Sequence, residues 1–147
     1  MALNTETRKN LIDTSPIVAA IAEAESGTTG EIRVHITKRW IEPDVFKRAQ
    51  KVFKKLKMHE TRQRNAILLY VNIKKRRYAI IGDQGIHQAV GDAYWKELSQ
   101  GLAEDLRSTH FERAIAIAVK TLGETLRRYF PGQKPAKNEL SNEVTHD

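Results

Sequence analysis

The stretch 64–85 constrains the fold of this chain more than any other part of its sequence, and it reads RNAILLYVNIKKRRYAIIGDQG. Two β-rich runs, 66–73 and 77–81, are separated by a short basic turn at 74–76. Such a pattern is typical of an antiparallel hairpin. The first run is apolar almost throughout, so we expect a central strand that is covered on both faces.

Polar side chains collect at the open end of this predicted hairpin. Arg64 and Asn65 stand before the first strand, and Asp83 follows the second. Because the first strand starts and the second strand ends at the same end of a hairpin, we expect these three residues to be neighbours in space. Their juxtaposition is the sharpest physical statement that the sequence allows, and by itself it does not identify a reaction.

The segments around the hairpin carry helical and strand patterns. Residues 31–37 alternate between apolar and polar side chains, which predicts a strand with one face on a core. Capping residues and apolar positions at helical spacing predict helices at Ser15-Pro16 to Gly27, Pro43-Asp44 to Lys57, 85–90, Asp92 onwards and 110–128. We therefore predict an α/β fold, namely a three-layer α/β/α sandwich with flanking helices and a small mixed central sheet that contains the hairpin at about 65–82.

The length of 147 residues suits one domain with a substantial core. We assign residues 14–131 to that domain, residues 1–13 to a polar N-terminal arm, and residues 132–147 to a polar tail that is extended or partly disordered. No apolar segment resembles a secretory signal, and no apolar run reaches the roughly 18–20 residues of a membrane span. We therefore expect a soluble, cytoplasmic protein without a transmembrane segment, and its oligomeric state stays open.

The chain contains no cysteine, which excludes disulfides, thiolate metal sites and cysteine nucleophiles. It also lacks the GxxxxGK[ST], GxGxxG, GxSxG and HExxH motifs of nucleotide-binding proteins, serine hydrolases and zincins. The remaining option is metal chemistry with oxygen ligands. Glu31, Asn65, Asp83 and Asp92 supply hard donors suited to Ca²⁺ or Mg²⁺, which would polarise a phosphoryl oxygen or activate water. If these residues are dispersed instead, Asp92 is a helix cap and Asn65 a turn residue.

The net charge of +7 fits either an acidic partner or a well-solvated surface. The helix that follows Pro43-Asp44 is the most basic element, and it carries Lys47, Arg48 and Lys51. In the first case these side chains would contact phosphates or an anionic membrane surface, and in the second they would face water. No aromatic residues interleave with them, which disfavours binding of single-stranded nucleic acid.

Two further features are open to a functional and a structural interpretation. Gly82 and Gly85 either turn backbone N–H groups towards an anion or form a plain tight turn. The polar row of Glu31, Arg33 and His35 on the alternating strand either lines a cleft or carries satisfied side chains on a covered face.

Several segments in order resemble the TPM domain family, also grouped as thylakoid acid-phosphatase-like or photosystem II repair domains. The segments span roughly 30–143 and read GEIRVHI, KLKMHET, RNAILLYV, RYAIIGDQGI, FP and NELSNE. The resemblance implies an α/β/α sandwich, an acid-phosphatase activity and a divalent-metal site, for calcium in particular, in a cleft at one sheet edge. The chain would be a short member of this family without a signal peptide or membrane anchor.

One position departs from the family pattern. Family members often read Asp-Asn-Gly before the central strand, where this chain has Arg64-Asn65-Ala66. Only the asparagine carries over. A guanidinium in place of a carboxylate removes an oxygen ligand and adds a positive charge, so it weakens a cation site and favours an anion.

The leading functional hypothesis is a TPM domain that binds a metal or a small phosphorylated ligand in a cleft at one end of the sheet. Metal-assisted phosphomonoester hydrolysis is the reaction to test, with Asp83 as first ligand or base and Arg64 as the phosphate contact. The ligand-binding set is Asn65, Gly82, Gly85, Lys47, Arg48 and Lys51, and the metal set is Glu31, Asp83 and Asp92, for Ca²⁺ or Mg²⁺. The alternative is a non-catalytic module whose basic surface binds a protein partner, an anionic membrane or nucleic acid.

Overall fold

The computed structural model describes residues 12–134 and 144–147 of the chain. Within these ranges, five α-helices and one short 3-10 helix surround a four-stranded sheet. In chain order the elements are α1 (Ser15–Ala24), β1 (Glu31–Thr37), α2 (Val45–Lys55), the 3-10 helix Met58–Glu60, β2 (Ala66–Asn72), β3 (Arg77–Gly82), α3 (Gln84–Val90), α4 (Asp92–Ser108), α5 (Phe111–Tyr129) and β4 (Thr145–His146). Most of the predicted N-terminal arm and of the predicted C-terminal tail lies outside the described residues.

The sheet is mixed, with the strand order β3-β2-β1-β4. β2 and β3 form the predicted antiparallel hairpin, with paired positions from Ile67–Gly82 to Asn72–Arg77. β1 runs parallel to β2 and to β4. The edge where β1 and β2 begin is called the amino edge below, and the edge where they end is the carboxyl edge. Because β3 is antiparallel, it ends at the amino edge.

Helices cover both faces of the sheet, so the predicted three-layer α/β/α sandwich is confirmed. One core lies between the sheet and α1, α3, α4 and α5, and its strand members are Ile32, Val34, Ile36, Ile67, Leu69 and Val71. The second core lies under α2 and the 3-10 helix, and its strand members are Ala66, Leu68, Tyr70 and Ala79. Every residue of β2 is buried, as its apolar run predicts.

Most predicted helices begin within a residue of their observed starts. Asp44 caps α2, because its Oδ1 accepts a hydrogen bond from the Lys47 amide at 3.1 Å. Ser15 and Asp92, the caps expected for α1 and α4, are instead the first residues of those helices, because Thr14 precedes α1 and Gly91 precedes α4. Gly27 follows α1 with a φ of 77°, the left-handed conformation expected of a glycine after a helix.

β4 is the element that no pattern in the sequence indicates. It has two residues, and it extends the sheet beyond β1 by pairing Thr145 with His35 and His146 with Ile36. The described end of the predicted tail is therefore extended and attached to the sheet. Among the described helices, none is long and apolar enough to cross a membrane.

Candidate functional site

The amino edge brings together the two charged residues that the sequence singled out. Asp83 follows β3, and its amide donates to the Ala66 carbonyl at 2.9 Å, which holds it beside the start of β2. The Arg64 guanidinium reaches the Asp83 carboxylate with two hydrogen bonds, from Nε to Oδ2 at 2.7 Å and from Nη2 to Oδ1 at 2.9 Å. The prediction that three residues are neighbours is thus confirmed for Arg64 and Asp83, whereas the hydrogen bonds given for the Asn65 side chain go to Thr29 and Gln63.

The two members of this ion pair differ sharply in exposure. The Asp83 side chain is 6% exposed and the Arg64 side chain is 45% exposed. The hydrogen bonds and the charge of Asp83 raise the pKa of Arg64 above its ordinary value, so the guanidinium is permanently protonated. Asp83 Oδ1 also accepts from the Gln84 amide at 2.8 Å as the cap of α3. The carboxylate is thus fully engaged, whereas part of the guanidinium faces water.

The backbone of Arg64 is tied to the same turn. Arg64 has a φ of 53°, and its carbonyl accepts from the Gly85 amide at 2.8 Å. A Cβ at Gly85 would lie 2.2 Å from the Gln63 carbonyl oxygen, and a Cβ at Gly82 would lie 2.3 Å from the Trp95 ring. Close packing therefore explains both glycines, and the Gly85 N–H is already used within the turn. A ligand-binding role for Gly82 and Gly85 stays a prediction.

Asn65 connects the amino edge to the loop before β1. Its side chain is buried, and Nδ2 donates to Thr29 Oγ1 at 3.1 Å and to Gln63 Oε1 at 3.4 Å. The Thr29 hydroxyl in turn donates to Gln63 Oε1. This small amide–hydroxyl network connects the loop before β1 to the residues that lead into β2.

Glu31 is buried at the start of β1, and β2 separates that strand from β3 and Asp83. It lies near Glu25, whose Oε2 accepts from the Ile32 amide at 3.0 Å. Burial raises the pKa of Glu25, against the lowering effects of the Ile32 amide and of Lys134, whose Nζ lies 3.6 Å from Oε1. The neighbour of Glu31 named here, Glu25, thus belongs to the segment between α1 and β1.

Asp92 lies at the first position of α4 and is almost fully exposed. Its Oδ1 is 3.5 Å from His87 Nε2. Across the described residues, no group of three or more His, Cys, Asp or Glu side chains is arranged to hold a metal ion. The predicted metal set of Glu31, Asp83 and Asp92 is therefore not gathered into one cluster.

The comparisons with known proteins agree with this fold. The profile of the TPM domain matches residues 3–125. The chain belongs to the TPM domain family. The NMR structure of the BA42 protein from the psychrophilic bacterium Bizionia argentinensis is 35% identical, with a TM-score of 0.81, and the match covers 100% of this chain and 97% of that one.

A more distant structure shares the fold alone. The N-terminal domain of the cg2496 protein from Corynebacterium glutamicum is 14% identical, with a TM-score of 0.62, over 88% of this chain and 84% of that chain. Among curated proteins, none matches the chain.

The basic residues predicted to bind a ligand lie at the other edge of this TPM domain. Lys47, Arg48 and Lys51 are in the first two turns of α2, which follows the carboxyl edge of β1. Lys47 and Lys51 are exposed. Arg48 Nη2 instead donates to Asp147 Oδ2 at 2.5 Å. The predicted ligand set is therefore divided between two edges of the sheet.

A second polar cluster surrounds His35 on the α2 side of β1. The His35 ring stacks on Tyr70 with centroids 5.5 Å apart, its Nδ1 is 2.7 Å from Thr145 Oγ1, and its Nε2 is 3.4 Å from Asp147 Oδ1. Strand alternation indicated that His35 belongs to a polar row, but nothing in the sequence pattern connects it to Asp147. The cluster attaches β4 to β1.

The titration of this cluster follows from its burial. Burial lowers the pKa of His35, although Asp147 opposes the change and Arg48 and His146 reinforce it. Burial raises the pKa of Asp147, but hydrogen bonds from Thr37 and Arg48, together with His35, outweigh it and bring the pKa to about 2. Because burial favours neutral His35, Thr37 and Arg48 are the main partners that keep Asp147 ionised near neutral pH.

Proposed function

We propose that this TPM domain binds a phosphorylated or similarly anionic group at the amino edge, through Arg64. The observation that carries the proposal is the two-bond ion pair with Asp83, which fixes a guanidinium that is still 45% exposed. A guanidinium has five N–H donors, and Asp83 occupies two of them. The remaining donors suit the oxygens of a phosphate, which arginine binds in a planar, paired geometry.

The same contacts do not fit a divalent cation. Both Asp83 oxygens already accept hydrogen bonds, from Arg64 and from the Gln84 amide. A cation bound to Asp83 would have to displace the guanidinium or lie beside it, where the two positive charges repel. Binding of Ca²⁺ or Mg²⁺ stays a prediction, and at Asp83 it has to overcome the competition or the repulsion of Arg64.

Calorimetric titration with inorganic phosphate tests the proposal. Arg64→Ala should abolish saturable binding, and Arg64→Lys should weaken it about tenfold, because a lysine keeps the charge but loses the paired geometry. Arg76→Ala is the matched control, since Arg76 is an exposed arginine with the same φ of 53° in the turn between β2 and β3. Equal affinity of the wild type and Arg64→Ala would contradict the proposal.

Hydrolysis of a phosphomonoester is the reaction to test at the same edge. Turnover of p-nitrophenyl phosphate should be measured with Ca²⁺, with Mg²⁺ and with a chelator. Asp83→Asn is the informative variant, because it keeps an oxygen to cap α3 while removing the charge, and Asp44→Asn, which changes the cap of α2 in the same way, is the control. Activity that survives in Asp83→Asn would exclude the catalytic role of Asp83, and its loss with an unchanged melting temperature would support it.

The basic face of α2 favours a second candidate, an interaction surface for an acidic partner. Its four exposed lysines recur at helical spacing, at Lys47, Lys51, Lys54 and Lys55. Binding through them should weaken steeply with salt, since exposed charges are screened. Phosphate binding that persists at 0.5 M NaCl but disappears in Arg64→Ala would assign the ligand to the amino edge instead.

A further inference from the structure

Three large apolar side chains are exposed within seven residues of each other after β1. Trp40 is 63% exposed, Ile41 is 86% exposed and Phe46 is 50% exposed. We call the surface that they form at the carboxyl edge of the sheet, together with the basic side chains around them, the Trp40 patch. Its basic members are Lys38, Arg39, Lys47, Lys74, Lys75, Arg76 and Arg77. Exposed apolar clusters of this kind mark surfaces that contact another molecule or a membrane.

The exposure follows from how the loop between β1 and α2 is held. The neighbouring Glu42 is buried, where its carboxylate accepts from Tyr70 Oη at 2.5 Å and from Asn72 Nδ2 at 3.0 Å. Asn72 Nδ2 also donates to the Arg39 carbonyl at 3.0 Å. With the residues on both sides anchored to β2, Trp40 and Ile41 form the outer turn of a fixed loop.

Positive charge surrounds the apolar tip. Lys74 and Lys75 lie over the Trp40 ring, with Nζ atoms 4.4 Å and 5.4 Å from its centroid. The loop and the adjoining hairpin turn contain five basic residues, and the adjoining ends of α2 and β3 add two more. The seven residues are Lys38, Arg39, Lys74, Lys75 and Arg76, with Lys47 in α2 and Arg77 in β3. Among the residues that the structure describes, the acidic ones around the patch are the buried Glu42, the helix cap Asp44, and Asp147, which pairs with Arg39 and Arg48.

We propose that the Trp40 patch docks on an anionic lipid bilayer, with Trp40 and Ile41 inserted among the acyl chains and the surrounding lysines and arginines on the headgroups. Tryptophan is enriched at the membrane interface, and an exposed isoleucine gains free energy on entering hydrocarbon. Each basic residue near an anionic surface adds electrostatic attraction. The complementarity is therefore both apolar and electrostatic, as in peripheral membrane proteins.

The geometry favours a lipid surface over nucleic acid. Base stacking needs a free aromatic face, and the two lysines over the Trp40 ring would compete with a base for it, whereas on a bilayer the same long side chains reach the headgroups beside an inserted ring. Ile41, the most exposed of the three, offers no surface for stacking. The proposal is independent of phosphate binding, because Arg64 and Asp83 lie at the opposite edge of the sheet.

Sedimentation with large vesicles tests the proposal. Wild-type protein should sediment with vesicles of 70% phosphatidylcholine and 30% phosphatidylserine, and much less with pure phosphatidylcholine. Trp40→Ala/Ile41→Ala should weaken binding at least about tenfold, because two apolar side chains no longer insert. Lys74→Glu/Lys75→Glu should also weaken it about tenfold or more.

Two matched controls separate the patch from general surface effects. Ile117→Ala removes an exposed isoleucine on α5, and Lys96→Glu/Lys120→Glu makes the same change in net charge on α4 and α5. Both should bind like the wild type. Tryptophan emission should shift to the blue with phosphatidylserine vesicles, and the shift should be absent in Trp40→Phe.

Equal sedimentation of the wild type and Trp40→Ala/Ile41→Ala would overturn the proposal. So would the absence of wild-type binding to phosphatidylserine vesicles. A gel shift with single-stranded RNA that depends on Trp40, without vesicle binding, would assign the patch to nucleic acid and equally overturn the membrane assignment.

Discussion

Arg64 combines a left-handed backbone conformation with an ion pair, and each feature has its own cause. At a φ of 53° an arginine is uncommon, whereas Asn, Asp and Gly adopt this conformation readily. The carbonyl of Arg64 closes the turn onto α3 through the Gly85 amide, so the conformation belongs to the turn. The side chain is then available for Asp83. The charge at position 64 can therefore change without changing the turn.

Arg64→Asp tests this separation at the residue scale. An aspartate tolerates the left-handed conformation and places a second carboxylate beside Asp83, so phosphate binding should be lost and Ca²⁺ binding gained. Carboxylate repulsion should lower the melting temperature without calcium, and saturating calcium should restore it. Calorimetry and thermal scans with and without calcium measure both effects. A variant that binds phosphate like the wild type would show that Arg64 does not determine the ligand.

Gly85→Ala should destabilise the fold. Its Cβ would overlap the Gln63 carbonyl oxygen at 2.2 Å, and backbone cannot easily move away, so we expect a loss of about 1–3 kcal/mol or more in the free energy of unfolding. Gly101→Ala is the control, because no atom lies within 4 Å of its Cβ position and α4 should gain about 0.4–1 kcal/mol. Urea denaturation compares them, and equal stability of the two variants would contradict the steric explanation.

At the scale of elements, sequence patterns predict those helices and strands whose formation depends on residues close together in the chain. The hairpin follows from two apolar runs and a basic turn, and α2 follows from its stripe of apolar residues and the Asp44 cap. β4 escapes prediction because its two residues carry no apolar pattern and pair with β1 across 110 positions of sequence. The cluster around His35 could not be predicted for the same reason, because Asp147, which pairs with His35, lies in that segment.

The burial of His35 and the hydrogen bonds of Asp147 should make stability depend on pH. The pKa of His35 is lowered from 6.5 mainly by burial, so the unfolded chain binds a proton more readily than the folded one. The stability that this difference contributes above pH 6.5 is then lost as the pH falls through the pKa that His35 has in the folded protein. Asp147, whose pKa falls from 3.8 to about 2, adds stability that is lost only below pH 3.8.

Urea denaturation between pH 8 and pH 5 isolates the histidine contribution. The free energy of unfolding of the wild type should decline towards pH 5, and His35→Gln should flatten that part of the decline, because glutamine does not titrate. His110→Gln, which changes an exposed histidine before α5, should leave the pH dependence unchanged. An identical pH profile in His35→Gln and the wild type would exclude His35 as the titrating group.

At the scale of the whole molecule, the sheet separates two surfaces. The amino edge carries the Arg64–Asp83 pair, and the carboxyl edge carries the Trp40 patch and the first turn of α2. β2 connects the edges, and all of its residues are buried. Parallel pairing of β1 with β2 places the loops that follow them on one side, so the division follows from topology.

The two surfaces should act additively. A variant that combines Arg64→Ala with Trp40→Ala/Ile41→Ala should lose phosphate binding to the same extent as Arg64→Ala. It should lose vesicle binding to the same extent as Trp40→Ala/Ile41→Ala, because distant sites without shared partners rarely couple. Calorimetry with phosphate in the presence of phosphatidylserine vesicles measures any coupling. An affinity for phosphate that changes more than about threefold with vesicles would indicate that the edges communicate.

β4 also determines how the outer side of β1 meets other molecules. It has two residues, and the Asp147 amide that follows them donates to the Ile36 carbonyl at 3.1 Å. We expect such a short segment to detach without global unfolding, so the Asp147 amide should exchange with deuterium long before the amides of β2. Each detachment leaves an unpaired strand edge, which can template pairing with a second chain. We therefore expect that variants in which β4 opens more often pair more readily with a second copy along His35 and Ile36 of β1.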